Sequence, residues 1–231
     1  MSSSNLKILA SESTPLGPLC LRRRELLSQP GTVVVEITLN QELLMSSYNT
    51  ISERQLAKSA LDMNPEGDLR VLVGGLGLGY TAHEVLTSKR VAYVEVVELL
   101  PPVIDWLGRG LFPLTEELKA DSRLSLVTGD IFARLSKPPD QKFDLILIDV
   151  DHSPEQHLNN SSSFFYTEEG LLLAREHLAS NGVLAIWSCA ETLPFVKVLY
   201  SVFKKVTMKD VTFKNKLIDQ VTTDWLFFAR K

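Results

Sequence analysis

The sequence predicts an α/β fold: a mostly parallel twisted sheet with helices on both faces, preceded by a small antiparallel β appendage. Three observations predict it. From residue 69 onward, short apolar runs alternate with stretches of helical spacing, the pattern of a parallel sheet covered on both sides. The first of these runs ends in Gly74-Gly75-Leu76-Gly77-Leu78-Gly79 and leads straight into helical spacing at 81–86, a strand, glycine turn and helix start. Polar residues then recur at the C-terminal ends of the apolar runs, the edge at which open α/β sheets bind ligands.

Residues 1–50 read as the β appendage. Pro15-Leu16-Gly17-Pro18 and Pro30-Gly31 are turn material, and Leu19-Cys20-Leu21 begins a short strand. Residues 32–39 are rich in β-branched side chains, and Asn40-Gln41 suggests a turn before a strand at 42–45. About three strands are expected. Their edges need cover from the main domain or a second subunit, so a homodimer is one expectation. Arg22-Arg23-Arg24 fits a phosphate grip or, more simply, an exposed strand end.

Residues 51–231 read as the main domain. Helical spacing over 52–61 puts Leu56, Ala57, Ala60 and Leu61 on one face, with Ser52 as N-cap. The run 64–68 breaks the chain before the first parallel strand at 69–73. Further strands are expected at 90–97, 124–128, 143–148 and 183–187, with helices from 101, at 171–178 and at 195–203. A hairpin at 206–213 and 223–229 closes the chain, and Ser161-Ser162-Ser163 reads as a loop.

With 45% hydrophobic and 23% charged residues in 231, the composition is that of an ordinary globular chain. The formal charge of −4 argues against a nucleic-acid partner, which favours a basic face. No apolar run reaches the roughly 18 residues of a membrane span, and the N-terminus lacks a signal-peptide core. Cys20 and Cys189 form neither a disulfide framework nor a metal pattern; two buried thiols and a cytoplasmic setting are expected.

The glycines matter because a side chain there would hold a ligand away from backbone amides. Glu98, about twenty residues on, stands where a carboxylate meets the two hydroxyls of a ribose, with a solvated loop acid as the lesser alternative. Gly129-Asp130 suits an adenine, or is turn chemistry alone. Asp149-Val150-Asp151-His152-Ser153-Pro154 follows the apolar strand L-I-L-I. Its carboxylates can hold or orient an amine, and His152 can act as a base near neutral pH or merely touch solvent. No metal-ligand pattern accompanies them. His83, His157 and His177 read as structural. No serine elbow or P-loop lysine is present, and G-x-G-x-G spacing fits a dinucleotide fingerprint only loosely.

In order and spacing these residues resemble the spermidine synthase-like branch of the Rossmann-like S-adenosylmethionine methyltransferase fold. The resemblance runs through L-N-Q-E-L-L-M-S-S, G-G-L-G-L-G, V-V-E at Glu98, G-D at Asp130, F-D-L-I-L-I-D-V-D and N-G-V-L-A-I-W. It implies that Glu98 binds the ribose, Asp130 and Ile131 the adenine, and Gly74, Gly75, Gly77 and Gly79 the methionine-like tail. Departures bear on the reaction. Aminopropyltransferases carry G-G-G-D-G-G, with an aspartate where Gly77 stands. Of their D-E-x-x-Y-x-E pattern the segment 52–58 keeps one acid, Glu53. Their D-S-S-D-P loop has become D-V-D-H-S-P, a loop also similar to that of eukaryotic methyltransferases acting on an elongation factor.

A neutral Gly77 leaves room for a carboxylate, so the first expectation is methyl transfer from intact S-adenosylmethionine to an amine or other small nucleophile, without a metal. Asp149 would orient the acceptor, a small molecule or a protein amine, with Asp151 or His152 managing its proton; Tyr48 and Tyr80 line the pocket or simply pack. The alternative is aminopropyl transfer from decarboxylated S-adenosylmethionine to a polyamine. The third is a nucleoside-binding protein without catalysis.

Overall fold

The computed structural model describes residues 5–150, 154, 160–215 and 220–231. Its first unit is a four-stranded antiparallel sheet in the order β1 (Leu6–Thr14), β2 (Gly17–Glu25), β3 (Val33–Leu39) and β4 (Glu42–Ser46). The sequence predicts three of these strands. β1 escapes a periodicity reading because it lies at the sheet edge and Ala10 is its one buried residue. The β3–β4 turn is Asn40-Gln41, both with positive φ. The run Arg22-Arg23-Arg24 does lie at the end of β2 with Arg23 exposed, while Arg22 and Arg24 are half-buried and pair with the buried Glu36 at 2.8 and 2.7 Å. Burial alone would raise the Glu36 carboxyl, but the two arginine hydrogen bonds outweigh it and hold it below its usual range.

Helix α1 (Ile51–Met63) buries the face carrying Leu56, Ala57, Ala60 and Leu61. Ser52 is not its N-cap. It is buried inside the first turn, and Thr50 holds the cap position without a side-chain bond.

The main sheet is built from β5 (Leu69–Gly74), α2 (Tyr80–Leu86), β6 (Val91–Glu98), α3 (Pro101–Gly108), α4 (Thr115–Ala120), β7 (Leu124–Thr128), α5 (Ile131–Leu135) and β8 (Phe143–Ile148). It continues through α6 (Asn160–Phe165), α7 (Glu168–Glu176), β9 (Leu178–Ser188), α8 (Leu193–Val202), β10 (Lys205–Asn215) and β11 (Gln220–Arg230). The strand order is β10-β11-β9-β8-β5-β6-β7. Five central strands are parallel, and β11 returns antiparallel beside β9 with β10 hairpinned onto it. Because β6 and β7 lie to one side of β5 while β8 and β9 lie to the other, the order reverses between β5 and β8. A crevice opens at the strand C-termini there.

Alternation along the strands divides the core. Val71, Val73, Val94, Val96, Leu145, Leu147, Leu226 and Phe228 face α1, α2 and the N-terminal sheet, where Leu19, Leu21 and Ile37 join them. Leu72, Val97, Ile146, Ile148 and Phe227 face α5, α7 and α8.

Three local expectations change. The short helices α4 and α5 carry too few turns for a periodic signal, and Ser161-Ser162-Ser163 lies within α6 rather than a loop. The helix expected at 171–178 begins at Glu168 and ends at Glu176, because Leu178 already pairs with Phe143 in the sheet. Cys20 is half-buried and Cys189 is exposed, so the expected pair of buried thiols is not found. Among the described residues no helix is long and apolar enough to cross a membrane.

Candidate active site

The glycine turn fills the space between the ends of β5, β6 and β8. Gly75 has φ +96°, and a Cβ on it would stand 2.2 Å from the carbonyl oxygen of Asp149, so only glycine lets the ends of β5 and β8 approach. Its N–H donates to the Val97 carbonyl at 2.9 Å, and that of Gly79 to the Leu76 carbonyl at 2.8 Å. Glu98, only 7% exposed, accepts from Leu76 N–H through Oε2 and from Leu100 N–H through Oε1, both at 2.8 Å. Burial raises its carboxyl above the usual range, and these backbone donors oppose the rise. Met45, on β4 of the other sheet, lies across the turn. The Leu78 N–H donates to its Sδ at 3.1 Å, and a Cβ on Gly77 would come within 2.6 Å of that sulfur.

On the far side of the crevice three carboxyls gather. Glu53 is on α1, Asp149 follows β8, and Asp224 is on β11. Burial, then the charge of Asp149, then that of Asp224 push Glu53 up to about 8. Burial pushes Asp149 up to about 6, with the Thr81 hydroxyl bond opposing the rise and the Asp224 charge adding to it. Burial also raises Asp224, offset by the Ser52 hydroxyl and the Trp187 indole. The Trp187 N–H lies close enough to favour the charged form of Asp224 without closing a hydrogen bond of normal geometry. Crowded carboxyls removed from water favour a proton or a bound cation over full ionisation.

A cavity of ≈ 160 Å³ joins the two halves. Gly75, Gly77 and Glu98 border it with Glu53, Asp149 and Trp187, and Leu39, Leu44 and Met45 close it from the N-terminal sheet. Of the residues singled out from sequence, it therefore brings together Gly75, Gly77, Glu98 and Asp149. Gly74 and Gly79 flank the turn, with Gly74 packed on Ile131. Asp130 and Ile131 do not line the cavity. Asp130 caps α5, its Oδ1 accepting from Phe132 and Ala133 N–H at 2.8 and 3.1 Å, and Ile131 is 5% exposed.

Tyr80 is buried with the Arg54 guanidinium over its ring, and Tyr48 receives a hydrogen bond from Gln29, so neither lines the cavity. His177 bonds the Lys137 carbonyl, and its burial lowers its pKa; His83 lies near Arg54. Asp151, His152 and His157 lie outside the described residues.

Sequence reasoning missed Met45, Trp187 and Asp224. One signal for Asp224 was available: it alternates in register with Leu226 and Phe228, placing a carboxylate on an apolar strand face.

A family model described as the spermine/spermidine synthase domain matches residues 50–224. The chain belongs to this family. Polyamine aminopropyltransferase 2 of Streptomyces coelicolor is 35% identical over 120 residues, covering 51% of this chain and 21% of that protein. The polyamine aminopropyltransferase of Oceanobacillus iheyensis is 27% identical over 173 residues, 69% of this chain and 33% of that one. The matches thus span a fifth to a third of these relatives' own length. Spermidine synthase from Thermotoga maritima shares the fold, with a TM-score of 0.75 at 19% identity over 97% of this chain and 73% of that chain.

These relationships overturn the first expectation from sequence, methyl transfer from intact S-adenosylmethionine. The matching model and the relatives above are those of spermine/spermidine synthases and polyamine aminopropyltransferases. That expectation rested on a neutral Gly77; in the structure the space beside this glycine is not empty, since a Cβ there would stand 2.6 Å from the Met45 sulfur.

Proposed function

We propose that the protein transfers an aminopropyl group from decarboxylated S-adenosylmethionine to a small linear amine of the polyamine class. The observation that carries the reading is the grouping of Glu53, Asp149 and Asp224 beside a cavity that Glu53, Asp149 and Trp187 line. Three carboxyls with raised pKa values form a site for ammonium groups, and the Trp187 ring adds an aromatic wall suited to a cation.

In the proposed reaction the acceptor nitrogen attacks the donor carbon next to the sulfonium. The new N–C bond forms as the C–S bond breaks, and the sulfur departs as neutral methylthioadenosine. The acceptor must lose a proton to present a lone pair. In this reading Asp149, its carboxyl raised to about 6, takes it, and the neighbouring acids hold the amine in line. Glu98 would meet the ribose and Asp130 the adenine.

The test is turnover of decarboxylated S-adenosylmethionine with a panel of linear diamines and triamines, followed by release of methylthioadenosine. Activity with a diamine is expected, falling at least about 100-fold in Asp149→Asn, which retains shape but not basicity. Binding of methylthioadenosine without turnover of any acceptor would reject the reading.

A further inference from the structure

We infer that Met45 sets which tail the donor pocket accepts, by denying a backbone amide to a carboxylate. The inference rests on the aminopropyl reading and names the residue that enforces it.

A glycine turn at the end of a strand ordinarily presents N–H groups to an anionic ligand. Here those groups are already engaged. Gly75 N–H bonds the Val97 carbonyl, Leu76 N–H bonds Glu98, and Gly79 N–H bonds the Leu76 carbonyl. The Gly77 N–H adds to the backbone donors that favour the charged form of Glu98. Leu78 N–H is the one satisfied from another sheet, by the Met45 sulfur at 3.1 Å.

A thioether is a weak acceptor. It keeps the amide from being orphaned, and the bulk of the side chain in front of the donor keeps a carboxylate from the stronger, charge-assisted bond the amide could otherwise give. Met45 also borders the cavity and fills the space beside Gly77, so it bars a carboxylate by position. A tail ending in a primary ammonium needs no N–H donor and finds the Glu53 carboxyl on the same cavity. Discrimination against the intact amino-acid tail therefore comes from a methionine carried by the N-terminal sheet.

The experiment measures dissociation constants by calorimetry for methylthioadenosine, decarboxylated S-adenosylmethionine and intact S-adenosylmethionine. The proteins are wild type, Met45→Ala and Met45→Val, the last retaining a strand-compatible side chain too short to reach Leu78. Wild type is expected to favour the decarboxylated donor. In the short variants the intact-to-decarboxylated ratio of constants should fall about tenfold or more, with methylthioadenosine affinity held within about threefold.

An unchanged ratio with methylthioadenosine still bound overturns the role of Met45 and leaves the aminopropyl reading standing. Loss of methylthioadenosine binding in both variants also overturns it, since Met45 would then merely hold the turn together. A wild-type preference for the intact donor, or no binding of any of the three, overturns the reading and the inference with it.

Discussion

The Thr81 hydroxyl, on the first turn of α2, donates to Oδ2 of Asp149 at the end of β8. The bond crosses the point where strand order reverses and favours the charged carboxylate, against burial and the Asp224 charge. Thr81→Val removes the donor at nearly constant volume. Asp149 should then titrate roughly one unit higher, moving the acidic limb of the kcat/KM profile to higher pH while the plateau changes little. A limb that stays in place would show that another group controls it.

Stability should fall as pH rises across the same region. Glu53 is raised from 4.5 to about 8 and Asp149 from 3.8 to about 6, so between about pH 4 and 8 the folded chain holds more protons than the unfolded one. The stability these protons confer is full in acid and is lost as pH climbs through the folded values. Urea unfolding should show a loss on the order of 4 kcal/mol from pH 5.5 to 8.5. Glu53→Gln, which keeps the shape without the charge, should flatten that slope. A slope unchanged in the variant would refute the assignment.

Glu98 is proposed to hold ribose, yet in the structure it ties the glycine turn and the α3 entrance together through two backbone N–H groups. Glu98→Ala leaves both donors buried without their acceptor, at a cost of about 2–4 kcal/mol in unfolding without ligand. Glu98→Gln should lose less stability. If its methylthioadenosine affinity nonetheless falls more than tenfold, the carboxylate acts on the ligand as well as on the turn. Equal affinity in Glu98→Gln and wild type would leave it a purely structural group.

Gly75→Ala should be among the most damaging single-methyl changes in the chain. Its Cβ would press on the Asp149 carbonyl at 2.2 Å from a left-handed backbone, a strain of about 2–3 kcal/mol or more. Thermal unfolding should drop accordingly, and activity should fall more than stability because Asp149 is displaced. Gly67→Ala, where a Cβ meets no atom within 4 Å, is the matched control.

The sequence by itself determined the alternation of strands and helices from residue 69, the glycine turn at the first strand end, and the carboxylates Glu98 and Asp149 at the C-terminal edge of the sheet. These features are local. Apolar periodicity sets which strand face is buried, and the end of a buried run sets which residue reaches the ligand edge.

Tertiary structure alone decided what stands opposite them. Met45 reaches Gly77 because the N-terminal sheet packs against the core face of the main sheet, which no spacing along the chain encodes. Asp224 joins Glu53 and Asp149 because β11 returns antiparallel beside β9 and α1 covers that face. A glycine read alone suggests open space; with a methionine from another sheet upon it that space is filled, because the space beside a residue belongs to whatever the fold packs there.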